Sequence, residues 1–441
     1  MIQSILFLIF ACASGWFAFR GFRRVRRNIM LGKAETTPET TPGASAQRWR
    51  NVLLIALGQQ KMFKKWLPAI LHLFLYVAFV ITQLELMEIF VDGLFGTHRF
   101  FAPYLGVFYT FIISFIEILS VLAFVATLIF LARRNMLRVP RFWKPEMKGF
   151  PSRDANLILL GEIVLIVGVF CMNGGDKVLQ TRGMEHYHPT GNFAVSTWLG
   201  PLLFGQFSDT TVMLIERFGW WLHISTVFAF LCYLPYSKHL HIVLAFPNTW
   251  YASLEPKGQM TNMPEIQGEV RAMMGLEPLP GATVSATGAF EFGANDVFTL
   301  GWKNLLQAYS CTECGRCTDA CPANQTGKKL SPRKVMMDVR DRADEIGRAI
   351  DDGKLDVSTF NDGKSLFDRI TPEEIHACTT CNACVEACPI LINPLDIILQ
   401  MRRHEILTQS AGPGDWLPMF NAIENTGAAW AMSESRDAWR S

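Results

Sequence analysis

Cys311-Thr-Glu-Cys314-Gly-Arg-Cys317-Thr-Asp-Ala-Cys321-Pro322 decides how the rest of the chain is organised, because it returns as Cys378-Thr-Thr-Cys381-Asn-Ala-Cys384-Val-Glu-Ala-Cys388-Pro389. Both stretches have the form C-x2-C-x2-C-x3-C-P, the run that holds [4Fe–4S] clusters. Three closely spaced thiolates wrap one cubane, and the fourth, turned away at its proline, reaches the partner cluster. The spacing therefore predicts Cys311, Cys314, Cys317 and Cys388 on cluster 1. It puts Cys378, Cys381, Cys384 and Cys321 on cluster 2. The rival readings are structural zinc and disulfides. Zinc takes four ligands per ion from looser C-x2-C pairs, and a twice-repeated run with both prolines is not that pattern.

These runs commit eight of the 11 cysteines, and Cys12, Cys171 and Cys232 lie in apolar stretches where they are expected to pack. Iron-bound thiolates imply a reducing compartment, so residues 300–400 belong on the cytoplasmic side. Half of the 441 residues are hydrophobic, with 33 Phe and 12 Trp, which points to a membrane part. A net charge of +2 makes no case for nucleic acid.

Residues 2–19 are apolar and are followed by Arg20, Arg23, Arg24, Arg26 and Arg27. A secretory signal carries its charges before the apolar run, so this is an anchor with its N-terminus outside. Residues 36–46 read as a polar linker. Further spans are expected at 66–95, 105–131, 156–172 and 211–233, the last continuing past Pro235 to 246. Each is near the roughly 20 apolar residues a bilayer requires, and the Lys/Arg clusters alternate so that the C-terminus is inside. Residues 173–209 are expected to be external, with Glu216 and Arg217 a possible ion pair at the outer end of the fifth span. The expected fold is mainly α: a five-helix transmembrane bundle, then a cytoplasmic α-helical two-[4Fe–4S] ferredoxin-like domain. Its divisions are 1–246 for the membrane domain, 247–300 for an irregular connector, 301–410 for the cluster domain, and 411–441 for an irregular tail. Within the cluster domain, 331–352 and 393–407 show helical periodicity.

His72, His223 and His241 lie in apolar spans, where an ionisable residue is a functional hypothesis by default. On a continuous helix His223 and His241 share one face five turns apart, roughly 27 Å. His72 lies at the depth of His241, and two facing imidazoles at one depth are what haem b requires. By the same helical geometry His239 points about 200° away from His241. Lys238 is placed to hold a haem propionate. Glu85, Glu88, Glu117 and Glu162 are intramembrane carboxylates able to take protons from a quinol.

The segment from Trp221-Leu-His223 through Leu234-Pro-Tyr-Ser-Lys238-His-Leu-His241-Ile resembles the last span of the respiratory nitrate reductase gamma-subunit cytochrome b family. The membrane subunit of heterodisulfide reductase shares that motif. Residues 311–333 and 393–403 are similar to heterodisulfide-reductase-type iron–sulfur subunits. The fusion of the two resembles the N-terminal part of membrane oxidoreductases that link electron-transfer flavoprotein to menaquinone. The cysteine-rich CCG domain that ends those proteins is not in this sequence, and the resemblance implies a separate partner subunit. That family commonly carries two haems, with two histidines about three turns apart on its second span. His72 matches the first, but Thr82 stands at the place of the second. The outer haem would therefore join His223 to His98, with His186 and His188 as rivals.

The resemblance implies a quinone-linked oxidoreductase subunit of the bacterial cytoplasmic membrane. Its cofactors would be two [4Fe–4S] clusters, one or two haems b, and quinone. Its partner would be electron-transfer flavoprotein or a CCG-domain iron–sulfur protein. The competing class is a membrane-anchored ferredoxin-type assembly factor for cytochrome oxidase, which has no use for paired haem ligands.

Overall fold

The computed structural model describes residues 2–34, 43–256, 258–277, 292–353, 360–430, 434 and 437–440. Among the described residues five helices are long and apolar enough to cross a membrane: Ile2–Ile29, Trp66–Phe95, Val107–Asn135, Phe150–Thr181 and Asp209–Tyr236. A compact helical cluster domain follows, and no strand occurs among the described residues. The architecture is the expected one, but four boundaries differ for physical reasons.

The first span carries its arginines inside the helix, down to Ile29, since arginine is a good helix former. The second is jointed at Thr82. Thr82 Oγ1 (3.3 Å) and Gln83 Nε2 (2.8 Å) both donate to the Phe79 carbonyl there, a local competition that bends helices. The fourth reaches Thr181, so Asn173 and Asp176, expected in the external stretch, are helical and fully buried.

The fourth difference alters the histidine geometry. The fifth span starts at a Ser208 cap that accepts from Thr211 N at 3.3 Å and ends as α-helix at Tyr233. Pro235 has no N–H to give and crowds the preceding turn. Two 3-10 turns, Leu234–Tyr236 and Lys238–Leu240, follow before helix His241–Trp250 begins. The straight-helix spacing of His223 and His241 therefore lapses. His239 is not turned away from His241: their ring centres are 6.3 Å apart.

Spans four and five pack through glycines seven residues apart. A Cβ on Gly161 would stand 2.6 Å from Phe230, on Gly168 2.9 Å from His223 N, and on Gly175 2.8 Å from Glu216 Cβ. Each step of two turns up one helix meets a step of two turns down the other, as antiparallel helices require. The missing side chains let the backbones approach.

The cluster domain and the bundle share one apolar core. Val25 and Ile29 from the first span, and Leu31 just beyond it, pack with Leu305, Val339 and Ile346, each worth about 1.5–3 kcal/mol when fully buried. Asn28 Nδ2 donates to Tyr309 OH (2.9 Å) and Asp344 Oδ1 (3.0 Å), and Arg27 to the Gly347 carbonyl (2.8 Å). Lys33 N donates to Leu300 O at 2.8 Å and Trp302 N returns to Lys33 O at 3.1 Å. Helix Pro332–Asp351 buries Val335, Met336, Val339 and Ala343 as its periodicity predicts. Inside it, Arg342 is 1% exposed and paired with Asp296 (2.7 Å) and Asp362 (2.6 Å). The connector is not wholly irregular, since it holds helix Pro264–Met273, although 278–291 lie outside the described residues. The tail likewise contains helix Trp416–Thr426. Of the expected linker, 36–42 lie outside the described residues, and helix Ala44–Asn51 takes the rest.

Candidate metal centres

Each cysteine run makes a loop, a five-residue helix and a stop. Gly315 (φ 74°) starts helix Arg316–Ala320, and Asn382 (φ 60°) starts Ala383–Ala387. Gly and Asn adopt this left-handed turn at low cost. Cys311, Cys314, Cys317 and Cys388 line one cavity together with Arg316, Arg333, Met336 and Ile392. Burial, with Cys314 and Cys388 adding, pushes the Cys311 thiol up to about 12. On the other side, burial and then Cys378, Cys321 and Cys381 push Cys384 up to about 12. Cys311, Cys314, Cys317 and Cys388 thus share one cavity, and Cys384 lies close enough to Cys378, Cys321 and Cys381 to feel their charge. Among the described residues no three His, Cys, Asp or Glu side chains converge tightly enough for one ion. The first set surrounds a cavity instead of a point, which suits a cluster whose irons take one thiolate each. Cys381 is the one member of the eight that is exposed.

The inner imidazoles lie beside the first set. The rings of His72 and His241 have centres 6.4 Å apart. Two imidazoles bound to one metal from opposite sides by about 2 Å bonds stand with ring centres roughly 6 Å apart. Each Nδ1 is already used: His72 donates to Gln59 Oε1 at 3.0 Å, and His241 to the Lys238 carbonyl at 2.8 Å. Both Nε2 atoms are left as the ligating nitrogens, the arrangement that outer-sphere acceptors normally impose. Gln59 is buried in a left-handed conformation, φ 50°, a strained state that its hold on His72 explains. His239 packs on Phe230 with ring centres 5.6 Å apart. Among the described residues its ring makes no hydrogen bond, so it lacks the fixing partner that His72 and His241 have. The Lys238 ammonium, expected at a propionate, is instead paired with Glu313 (2.7 Å) and Asp154 (3.6 Å).

His223 is buried, and its Nδ1 donates to the Leu165 carbonyl at 3.2 Å. His98 is not brought to it. The His98 Nε2 faces Asp176 Oδ1 at 3.4 Å, and its ring packs edge-on against Tyr187. It lines a cavity with Glu216, Arg217 and Trp220. Glu216 lies seven residues before His223, roughly 10 Å along the helix. His186 and His188 are exposed, so neither reaches the buried ring. Sequence reasoning failed here because a fold-back after Gly96 fits the chain equally well with His98 aimed at span four.

What sequence reasoning missed is Arg99. It is buried at the end of the bundle far from the clusters, with its guanidinium against Asp176 (3.2 Å), Asn173 (2.5 Å) and Tyr109 (3.2 Å). Tyr109 OH donates to Glu88 at 2.6 Å, and Asn173 Nδ2 to Glu85 (3.4 Å) and Glu117 (3.3 Å). Glu85, Glu88 and Glu117 thus belong to one network. Glu216 and Arg217 do pair. Glu162 stands apart, with no hydrogen bond among the described residues. The signal for Arg99 was available: four acids between 85 and 117 within apolar helices need a cation.

Residues 310–392 match the 4Fe-4S dicluster domain family. The chain is 26% identical over 93% of its length to a probable iron-sulfur-binding oxidoreductase, FadF, of Bacillus subtilis. It is 27% identical over 89% of its length to an EtfAB:quinone oxidoreductase of Syntrophomonas wolfei. It spans 57% and 54% of those two relatives. A probable membrane-anchored ferredoxin of Chromohalobacter salexigens is 34% identical over 127 residues, 26% of this chain and 18% of that protein. No protein of solved structure matches the chain.

Proposed function

We propose that the chain is a membrane electron-transfer subunit of a quinone-linked oxidoreductase, passing electrons between a cytoplasmic redox partner and the (mena)quinone pool. The partner is electron-transfer flavoprotein or a CCG-domain iron–sulfur protein. Two crosswise-ligated [4Fe–4S] clusters and haem b supply the one-electron carriers. Cys311, Cys314, Cys317 and Cys388 would hold cluster 1. Cys378, Cys381, Cys384 and Cys321 would hold cluster 2. His72 and His241 would hold the inner haem. The observation that carries this reading is the 6.4 Å pair of rings with both Nδ1 atoms engaged, directly beside the first cysteine set. The exposed Cys381 makes cluster 2 the side that meets the soluble partner. His223 stands without an imidazole partner here, so one haem is the better-supported number. Glu85 and Glu117, joined through Asn173, are the candidates to take quinol protons. The arginine- and lysine-bearing ends of the spans all meet the cluster domain: Arg24 pairs with Asp344 (3.7 Å), Lys65 with Asp319 (3.7 Å), and Arg141 with Asp319 (3.1 Å). This supports a cytoplasmic cluster domain and an external N-terminus in a bacterial inner membrane.

A reduced-minus-oxidised absorption spectrum of the purified protein tests the reading. Haem bands at one haem per two clusters are expected. Clusters without haem would move the assignment to the membrane-anchored ferredoxin class that the Chromohalobacter relative represents.

A further inference from the structure

The turn around Cys314 touches the segments that hold both imidazoles. Glu313 and Arg316 flank the Cys314–Gly315 pair and reach in opposite directions. The Glu313 carboxylate is buried and accepts from Lys238 Nζ at 2.7 Å and from Arg340 Nη1 at 2.8 Å. The same Lys238 offers its backbone carbonyl to His241 Nδ1 at 2.8 Å, while its amide donates to Asp154 Oδ2 at 3.1 Å. Its ammonium also donates to the Pro151 carbonyl at 2.8 Å, so Lys238 is held at four points, one of which belongs to the cluster loop. In the other direction, Arg316 Nη1 donates to the carbonyls of Met62 (3.3 Å) and Lys61 (3.5 Å). Those carbonyls lie in the 3-10 turn Gln60–Lys64, which begins directly after Gln59. Gln59 is the acceptor of His72 Nδ1.

Resting on the proposed haem site, we infer that Glu313 and Arg316 are positioning residues that set the orientation of His241 and His72 from the loop of the first cluster. One ligand of cluster 1, Cys314, sits between them. A change in that loop is transmitted to both imidazoles through two short links, Glu313–Lys238–His241 and Arg316–Met62–Gln59–His72. Neither link adds a ligand or removes one. Each fixes where an imidazole points and how strongly its Nδ1–H bond is polarised, which tunes the metal the ring binds. The device makes the cluster loop and the haem site one mechanical unit instead of two sites that happen to be adjacent.

The test uses the full chain in membranes or detergent. Glu313→Gln and Arg316→Gln are compared with wild type by haem content, cluster EPR, haem EPR g-values and a redox titration of the haem. Expected is full haem and cluster content in both variants, with altered haem g-values. The oxidised-to-reduced ratio at a fixed potential should change at least tenfold, which for one electron is 59 mV. Arg316→Lys and Glu313→Asp should show less of the shift than the Gln variants, because the first keeps a cationic donor for the same carbonyls and the second an anionic acceptor for Lys238. Unchanged g-values and potential in both Gln variants, with all cofactors present, would overturn the inference and leave the two side chains as struts between domains. If both variants fail to accumulate, the Gln59→Glu variant reads the His72 link alone, and the same two readouts decide. No haem in wild type sinks the underlying assignment instead, which keeps the two failures apart.

Discussion

At the end of the bundle next to the clusters, the His72 and His241 rings donate to an amide and a carbonyl oxygen, while the His239 ring packs on Phe230. At the far end, Arg99 is buried among carboxylates. The inner acceptors are neutral, so they orient imidazoles without charging them, and ring nitrogens remain for a metal. The outer network is ionic, and its guanidinium donors and carboxylate oxygens are mostly spent on one another. Loss of one partner there leaves an uncompensated charge in an apolar bundle, which costs far more than loss of a neutral hydrogen bond. The inner end is built to bind and the outer end to hold.

The largest expected effect tests this directly. Arg99→Met should destabilise the protein by about 3–5 kcal/mol, because Asp176 and its neighbours lose their cation. His72→Ala should leave a folded protein. Thermal melts of both variants in detergent decide, and an Arg99→Met protein as stable as wild type would erase the contrast. Next in size, His72→Ala and His241→Ala should each abolish the inner haem while cluster EPR persists, and His239→Ala should retain it. Pyridine haemochrome assay is the measurement. Since His239 stands as near to His241 as His72 does, haem loss in His239→Ala with haem kept in His72→Ala would exchange their roles. Smaller again, Gly168→Ala puts a Cβ 2.9 Å from His223 N. Overpacking of about 1–3 kcal/mol follows, visible as a lower Tm, and it probes the join between the two ends.

The smallest effect lies outside the membrane. The Arg342 hydrogen bonds hold Asp362 down at about 2, below an unfolded carboxyl near 3.9. A depressed carboxyl stabilises above its unfolded value and loses that contribution as pH falls toward its folded one. Asp362→Asn should therefore lower Tm at pH 7 by about 2–4 °C, the shift expected for 1 kcal/mol, with the gap narrowing at pH 3 and closing only as pH falls through the folded value of about 2. An equal gap at both pH values would contradict the assignment.

The two cysteine runs and the five apolar segments were legible because each is a local pattern: ligand spacing in one case, unbroken apolarity in the other. His72 and His241 were legible as a pair, but for the wrong geometric reason. Depth along a continuous helix suggested them, whereas the helix stops at Tyr233 and a turn delivers His241. Pro235 was in plain view. What could not be known was whether the chain would kink or stop there, because neighbouring helices decide that. Lys238 to Glu313 and Arg99 to Asp176 link residues 75 and 77 positions apart, and no local pattern encodes such pairs. The outer ends of spans were misplaced for the same reason. Asp176 looks like a loop residue until its cation is known.

The way the first span enters the cluster domain also has a consequence for synthesis. Val25, Asn28, Ile29 and Leu31 leave the ribosome nearly 300 residues before Leu305, Tyr309 and Val339 exist to receive them. For that interval the membrane-inserted hairpins carry half of a core with nothing to close it. The cluster domain, made after the spans, finds its seat already waiting at the bilayer. A fragment beginning at residue 301 would reach the cytosol with that seat missing and its apolar floor open to solvent. The order of genes or of fused segments is thus not neutral for this architecture. Membrane part first gives the cluster domain a template, and the reverse order would leave it as an aggregation-prone orphan until the anchor arrived.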